Sequence, residues 1–125
     1  MAEVLVTGGS GFVGTNLREQ KPDWVYLSSY DCDLMSQNDI KSVIKKHNPK
    51  AILHLAGIVA GIKENSLKQG DFFYKNVTMN TNVLECARQM KIGRVLSCLS
   101  TCAYPNTVYR YPFTEDDLFS GPPAE

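Results

Sequence analysis

The sequence contains no block of basic residues and no long apolar run, and each absence excludes a class of function. Thirteen basic and thirteen acidic residues give a formal net charge of zero, so a surface that follows nucleic-acid phosphates is not expected. No apolar run is long enough to span a membrane, and no signal-peptide pattern precedes Val4. We therefore expect a cytoplasmic protein that binds neither nucleic acid nor membrane.

The four cysteines, at positions 32, 86, 98 and 102, include no Cys-x-x-Cys pair. That spacing is typical of zinc sites and of dithiol redox motifs, so neither chemistry is predicted and no metal site is expected. In a reducing compartment such cysteines stay as free thiols. The chain has 125 residues, 43% of them hydrophobic, which is enough to fill the core of one domain or part of one.

A glycine-rich stretch near the start organises the chain. The run from Val4 to Val6 is typical of a buried parallel strand, and residues 12–20 predict a helix. Between them lie three glycines spaced three residues apart. In a dinucleotide-binding turn the first glycine turns the chain, the second admits a pyrophosphate, and the third packs the helix against the sheet. A glycine loop that binds nothing is the alternative, but the order of strand, glycines and helix favours a dinucleotide site. The residues expected to hold the cofactor here are Gly8, Gly9, Ser10, Gly11, Phe12, Val13 and Gly14.

Strand and helix patterns alternate along the rest of the chain. Short apolar runs predict strands at 24–27, 51–55 and 94–99, and helical patterns extend from Ser36 to Pro49 and from about 71 to 90. This alternation predicts an α/β fold, a doubly wound, Rossmann-like parallel sheet that is incomplete at its C-terminus. Residues 1–125 are then the N-terminal, dinucleotide-binding portion of a larger protein.

The ends of the second and third predicted strands carry further candidate cofactor contacts. Ser28 and Ser29 occupy the position that reads the adenosine ribose, where an acid would favour NAD and hydroxyl donors favour NADP. Asp31 comes after that position, so NADP is predicted, although Asp31 and Asp33 could equally serve turn chemistry. Further contacts are expected from Asp33 and Leu34 beside the adenine and from Leu55, Ala56 and Gly57 beside the ribose and phosphates.

The long helical pattern places several apolar residues and one amide on a single face, which is predicted to be buried: Phe73, Val77, Asn80, Leu84 and Ala87. A buried amide must satisfy its hydrogen bonds, so Asn80 should have a partner in the sheet or a bound water. His54, in the third strand, is expected to be a satisfied core or strand-end histidine and not a catalyst.

The fourth predicted strand ends at Leu99 and delivers Ser100, Thr101 and Cys102 to the edge of the sheet where the glycines lie. Ligands of open parallel sheets bind outside the carboxyl ends of the strands. These side chains could therefore act on a substrate, or they could bond the local backbone.

With these residues in view, the chain resembles the N-terminal part of the GDP-L-fucose synthases, a family of extended short-chain dehydrogenases. The most specific segments are Val6 to Gly14, Asp71-Phe72 with Lys75-Asn76, and Ser97 to Cys102, followed by Tyr104-Pro105 and Gly121-Pro122-Pro123. Two departures from the family pattern are Tyr30, where some relatives carry a lysine near the ribose phosphate, and Ala60, which replaces a glycine.

The resemblance implies epimerisation of GDP-4-keto-6-deoxy-mannose at C3 and C5, followed by NADPH reduction of the 4-ketone, in a homodimer. Ser100 is implied to hydrogen-bond the 4-keto oxygen, and Cys102 to exchange protons at the epimerised carbons. Leu99 is expected to contact the cofactor. A Tyr-x-x-x-Lys pair, a catalytic histidine and a substrate domain are expected beyond Glu125, so the 125 residues alone are expected to be inactive. The alternatives are another sugar-nucleotide epimerase or dehydratase, and a non-catalytic dinucleotide-binding module.

Overall fold

A computed structural model describes residues 2–107 and 111–123 of the chain. Four strands and four helices occur in the order β1 (Val4–Thr7), α1 (Phe12–Gln20), β2 (Val25–Leu27), α2 (Gln37–His47), β3 (Ala51–His54), α3 (Ile62–Leu67), α4 (Gln69–Gln89) and β4 (Arg94–Ser97). Two short 3-10 helices follow, Thr101–Ala103 and Glu115–Phe119.

The four strands form one parallel sheet in the order β2-β1-β3-β4. Leu5 of β1 lies opposite Val25 of β2 on one side and Ile52 of β3 on the other. Right-handed crossovers in this order put α1 on one face of the sheet and α2 and α4 on the other. The predicted α/β fold with a doubly wound parallel sheet is confirmed. The strand order reverses between β1 and β3, and this switch point is where such sheets bind ligands.

Local capping explains where α2 begins and ends. The Ser36 hydroxyl accepts a hydrogen bond from the Asp39 backbone N–H (3.3 Å) and donates one to the Asp39 carboxylate (3.0 Å). At the other end Asn48 adopts a left-handed conformation with φ 46° and stops the helix before Pro49. Such short-range signals made the predicted boundaries of α2 accurate.

The hydrophobic core lies between the sheet and the α2–α4 layer. The side chains of Ile40 and Ile44 on α2 and Val83 on α4 close over Leu5 and Ile52 of the two central strands. The remaining buried members of the core are Leu27, Cys32, Cys86 and Ala87.

The face of α4 predicted to be buried is mostly exposed, so that prediction is wrong. Phe73, Val77 and Leu84 are exposed, whereas Met79 and Val83 are among the buried residues. The helix is apolar on more than one side, and periodicity alone could not decide which side meets the sheet. Within the described part of the chain, no helix is long and apolar enough to cross a membrane.

The segment after β4 makes a few contacts between its own residues. Pro105 and Pro123 pair in an isolated antiparallel bridge. The rings of Tyr104 and Phe113 stack with their centroids 4.7 Å apart. These contacts join the residues before and after the 3-10 helix Glu115–Phe119.

Two valines of α4 test which side of the helix packs on the sheet. Val83 is 1% exposed and Val77 is 45% exposed. Val83→Ala should lower the free energy of unfolding by about 1.5–3 kcal/mol, because it removes buried methyl groups and leaves a cavity. Val77→Ala should change it by less than about 0.5 kcal/mol. Urea unfolding of both variants measures the difference, and a larger loss for Val77→Ala would contradict the assigned face.

Candidate functional site

A cleft of about 550 Å³ opens at the switch point of the sheet. Its walls come from the residues that follow β1, β2 and β3, so three separate segments meet there because their strands are neighbours. The structure brings ten of the predicted cofactor residues into this lining: Gly8, Ser10, Gly11, Ser28, Ser29, Asp33, Leu34, Leu55, Ala56 and Gly57.

The other predicted site residues lie outside the lining. Phe12 and Val13 form the exposed first turn of α1, and Leu99 is exposed beyond β4. Gly9 lies beneath the turn, where a Cβ atom would come within 2.6 Å of the Tyr26 Cβ. Gly14 supports the turn from the helix side, and the remaining two residues, Ser100 and Cys102, follow β4.

Close backbone contacts explain Gly8 and Gly14. We call the turn from Gly8 to Gly11 the glycine turn. Gly8 has a φ of 70°, and a Cβ atom there would lie 2.8 Å from the Ala56 backbone nitrogen. A Cβ at Gly14 would lie 2.6 Å from the Gly8 carbonyl oxygen. Gly14 therefore lets α1 press on the glycine turn itself, whereas the sequence had predicted contact with the sheet.

The glycine turn leaves room and donors for an anionic group. Gly11 is the N-cap of α1 and has no side chain to cap it, so the N–H groups of the first helical turn have no side-chain acceptor. A Cβ atom at Gly11 would meet only the Gly8 carbonyl oxygen, at 3.2 Å. The turn therefore fits a pyrophosphate, which the N–H groups and the helix dipole would stabilise.

The turn after β2 differs from the prediction at Asp31. Its carboxylate folds back and accepts hydrogen bonds from the Ser28 backbone N–H (2.8 Å) and the Ser28 hydroxyl (2.6 Å). These bonds hold the pKa of Asp31 below its ordinary value. Asp31 therefore has the turn role that the sequence left as an alternative, and the tight turn brings its carboxylate back beside Ser28, the residue predicted to read the ribose.

The loop after β3 is held by Asn76 of α4, which sequence reasoning did not single out as a site residue. Its side-chain oxygen accepts from the Ile58 N–H, and its amide nitrogen donates to the Ile58 carbonyl oxygen, each at 2.8 Å. One turn of helix places Lys75 and Met79 in the cleft lining. Lys75 is the one lysine or arginine among the lining residues, and the lysine-asparagine pair was visible only as part of a family motif.

A second amide, Asn82, holds the loop after β2. Its nitrogen donates to the carbonyl oxygens of Leu34 (3.1 Å) and Met35 (3.0 Å). Its oxygen accepts from the Gln37 side chain at 3.1 Å. Leu34 and Met35 line the cleft, so Asn82 fixes the wall where an adenine was predicted. The missed signal was the amide of Asn82 itself, which lies directly before the buried Val83.

The expectations for Asn80 and His54 are confirmed. The Asn80 side-chain oxygen lies 2.8 Å from Nε2 of His54, and the Thr7 hydroxyl lies 2.6 Å from Nδ1. His54 is only 2% exposed, and burial lowers the pKa of its imidazole. The histidine is therefore a satisfied strand-end residue that links β1, β3 and α4.

The cysteines divide into a buried and an exposed pair. Cys32 and Cys86 are buried, Cys98 and Cys102 are exposed, and all four are free thiols. Burial raises the pKa of the Cys32 thiol to about 11, so it remains protonated in the cleft wall. Among the described residues, no group of three His, Cys, Asp or Glu side chains is arranged to hold a metal ion.

Ser100 and Cys102 lie together on an exposed turn beyond β4. The Ser100 hydroxyl oxygen accepts a hydrogen bond from the Cys102 backbone N–H at 3.1 Å and caps the 3-10 helix Thr101–Ala103. The backbone from Ser100 to Cys102 is therefore a helical turn and not an extended strand. The proximity of the two side chains comes from this turn, and both are accessible to a substrate that approaches the carboxyl edge of the sheet.

Comparison with known proteins adds the family to this geometry. The model of the NAD dependent epimerase/dehydratase family matches residues 4–124, which is nearly the whole chain. The chain belongs to this family. The match includes the glycine turn, the ends of all four strands and the three amides of α4.

Individual members of this epimerase/dehydratase family are also similar. The chain is 38% identical to a GDP-L-fucose synthase of Dictyostelium discoideum over 96% of its own length. It is 32% identical to a GDP-L-colitose synthase of Yersinia pseudotuberculosis over 95% of its length. A solved GDP-L-fucose synthetase of Naegleria fowleri bound to NADP superposes with a TM-score of 0.82 and 35% identity over 99% of the chain. The chain spans only 39%, 40% and 39% of these proteins, respectively.

Two glycines test the role of close approach in this family member. Gly8→Ala should lower the free energy of unfolding by at least about 2 kcal/mol, because a left-handed φ is combined with a backbone clash. Gly70→Ala, on α4 with no atom within 4 Å of a new Cβ, should be neutral or stabilising by up to about 1 kcal/mol. Thermal unfolding compares the two variants. A Gly8→Ala protein as stable as Gly70→Ala would contradict the contact with Ala56.

Proposed function

We propose that the protein containing this chain is a GDP-L-fucose synthase, which epimerises GDP-4-keto-6-deoxy-mannose at C3 and C5 and reduces its 4-ketone. The observation that carries the proposal is the glycine turn that faces the cleft at the switch point of the sheet. The family match and the similarity to GDP-L-fucose synthases over nearly the whole chain support it. In this proposal the chain is the part of the enzyme that binds the cofactor.

NADP is the proposed cofactor, and its nicotinamide would supply the hydride for the reduction. The glycine turn and the first turn of α1 would hold the pyrophosphate, and the walls that contain Leu34 and Ala56 would hold the adenosine half. The NADP-bound relative of Naegleria fowleri supports this choice. Asp31 is compatible with it because its carboxylate is already engaged by Ser28. Ser29 and Lys75 remain in the lining as donors for a phosphate.

Ser100 would stabilise the charge that develops on the 4-keto oxygen. Its oxygen accepts from the Cys102 N–H, and the hydroxyl proton then points away from that donor and can be given to a carbonyl oxygen. Removal of a single donor to a developing oxyanion costs about 10²–10³-fold in rate. The hydroxyl would therefore speed hydride transfer, because it stabilises the charged oxygen of the transition state more than the neutral oxygen of the ketone.

Cys102 would exchange protons at the two carbons that are epimerised. Its thiolate would take the acidic proton next to the ketone from one face of the carbon, and the histidine expected beyond Glu125 would return a proton to the opposite face. Positioned acid–base groups of this kind contribute about 10²–10⁴-fold. The exposed position of Cys102 keeps the thiol accessible to a sugar ring at the edge of the sheet.

The proposal includes a cytoplasmic homodimer. The exposed apolar side of α4, with Phe73, Val77 and Leu84, is surface that a second subunit would remove from water. Exposed apolar residues grouped on one side of a helix suit a subunit contact more than a solvated face.

A related reaction is the second candidate. Similarity to a GDP-L-colitose synthase favours a GDP-linked keto sugar but leaves its exact substitution to the substrate domain. A non-catalytic dinucleotide-binding module is a third possibility, and turnover separates it from both enzymes.

The direct test supplies GDP-4-keto-6-deoxy-mannose with NADPH or NADH to the intact protein and identifies the product by NMR. GDP-L-fucose should form faster with NADPH. Product with a GDP-colitose precursor alone would support the second candidate, and no turnover with either sugar would contradict an enzymatic function.

Variants of the two residues beyond β4 should separate the two halves of the reaction. Ser100→Ala should slow reduction by about 10²–10³-fold while solvent deuterium still enters C3 and C5. Cys102→Ala should suppress deuterium entry by about 10²–10⁴-fold and yield the unepimerised, reduced sugar. Cys98→Ala, two residues before Ser100, is the matched control and should leave both rates unchanged. Deuterium entry at the wild-type rate in Cys102→Ala would show that this thiol is not the acid–base group.

A further inference from the structure

Three side chains from three different elements, two of them buried and the third half-buried, form a hydrogen-bonded row behind the cleft. Thr7 ends β1, His54 ends β3, and Asn80 lies in the middle of α4. Thr7 is 3% exposed and His54 is 2% exposed. The Thr7 hydroxyl contacts Nδ1 of His54 at 2.6 Å, and Nε2 of the same ring contacts the Asn80 oxygen at 2.8 Å. We call this set the Thr7–His54–Asn80 network.

Only one arrangement of protons satisfies every member of the network. The side-chain oxygen of Asn80 can only accept, so Nε2 of His54 carries the proton and donates it. Nδ1 then carries no proton, and its lone pair accepts a hydrogen bond from the Thr7 hydroxyl. The Thr7 oxygen in turn accepts from the Ala56 backbone N–H at 3.4 Å. The imidazole is neutral in this arrangement, with its proton on Nε2.

The network connects the two walls of the cleft. Thr7 immediately precedes the glycine turn, and Ala56 belongs to the opposite wall, with its backbone nitrogen 2.8 Å from the place of a Gly8 Cβ. Asn76 lies one helical turn before Asn80, and its side chain forms two hydrogen bonds with the backbone of Ile58 in the same wall. The spacing between the walls therefore depends on a row of bonds that begins on α4.

We propose that Thr7, His54 and Asn80 are positioning residues for the dinucleotide, and that only the neutral, Nε2-protonated imidazole holds the glycine turn at its distance from Ala56. The inference rests on the proposed cofactor. Of the three residues, Thr7 lines the cleft, and His54 and Asn80 are not part of the lining. A protonated ring would donate an N–H to the Thr7 oxygen, which already accepts from the Ala56 N–H, and the buried Thr7 hydroxyl proton would lose its acceptor. The side-chain link between the cleft walls would then weaken, and the backbone bond from the Leu55 N–H to the Thr7 carbonyl oxygen would remain.

The surroundings of the ring favour the neutral form. It faces Thr7 from β1 and Asn80 from α4, and β4 contributes Cys98, whose backbone N–H donates to the His54 carbonyl oxygen. Burial lowers the pKa of His54, the hydrogen bond to Asn80 partly offsets this, and no charged side chain is among the causes. The network is thus intact at neutral pH and is lost only under acid conditions.

Asn80→Asp gives the decisive variant. A carboxylate in place of the amide oxygen still accepts from Nε2, but it stabilises the charged imidazolium and raises the pKa of His54. The dissociation constant of NADP is measured for wild type and variant at several pH values. The variant-to-wild-type ratio should rise by at least about fivefold between about pH 8.5 and about pH 6.5. Use of the ratio cancels the titration of NADP itself.

Two further variants separate positioning from general damage. Thr7→Ser keeps the hydroxyl and should bind NADP within about twofold of wild type, whereas Thr7→Val keeps the shape without the donor and should bind at least about tenfold more weakly. The second histidine of the chain, His47, lies on α2. His47→Gln should leave the affinity for NADP unchanged at each pH. If Thr7→Val does not fold, Thr7→Ser and Asn80→Asp still decide the question.

The ring itself provides a readout that does not need the cofactor. Nitrogen NMR of the wild-type imidazole should show the Nε2-protonated tautomer at neutral pH. A proton on Nδ1, or a ratio that stays flat across the pH range, would overturn the proposal. Failure of the wild-type protein to bind NADP would instead overturn the proposed function, so the two failures are distinguishable.

Discussion

The contact between the glycine turn and the end of β3 is the constraint on which the rest of the site depends. Gly8 approaches Ala56 so closely that a single methyl group would lie 2.8 Å from its backbone nitrogen. This contact places the N-terminus of α1 over the switch point of the sheet, where strand order reverses. The cleft has its shape because two backbone segments touch, and glycine is the residue that lets them.

The helix α4 holds that contact from the other side of the sheet through three amides. Asn76 binds Ile58, Asn80 binds His54, and Asn82 binds the carbonyl oxygens of Leu34 and Met35. Strand ends and loops leave backbone groups without ladder partners, and an amide side chain supplies both a donor and an acceptor. Each such bond contributes only about 0.5–1.5 kcal/mol. Together they fix the loops after β2 and β3, which form most of the cleft.

The features that could be predicted from sequence are those with local causes. The glycine turn needs specific residues within a few positions, and Ser36 and Asn48 cap α2 through neighbouring backbone. The parallel sheet follows from alternating strand and helix patterns. Asn80 was a sound prediction because a buried amide requires a partner whatever the fold. Ten of the expected cofactor residues line one cleft because they follow neighbouring parallel strands.

Two of the features that were missed depend on how distant elements meet, and the third depends on a local turn. Which side of α4 faces the sheet is decided by packing against α2, so Val77 was assigned to the core while it is exposed. Asp31 was placed by counting residues, but a turn folds it back to Ser28. Lys75 enters the lining only because α4 crosses behind the loop after β3.

Amide NMR of the intact, isotope-labelled protein during titration with NADP tests the central claim most directly. The account predicts that the largest shifts occur at Gly11 and Ser10 in the glycine turn, at Ser29 after β2, and at Gly57 after β3, which all line the cleft. Amides at the far end of α2 should not move. Shifts concentrated away from the switch point, or none at saturating NADP, would contradict the cleft as the dinucleotide site.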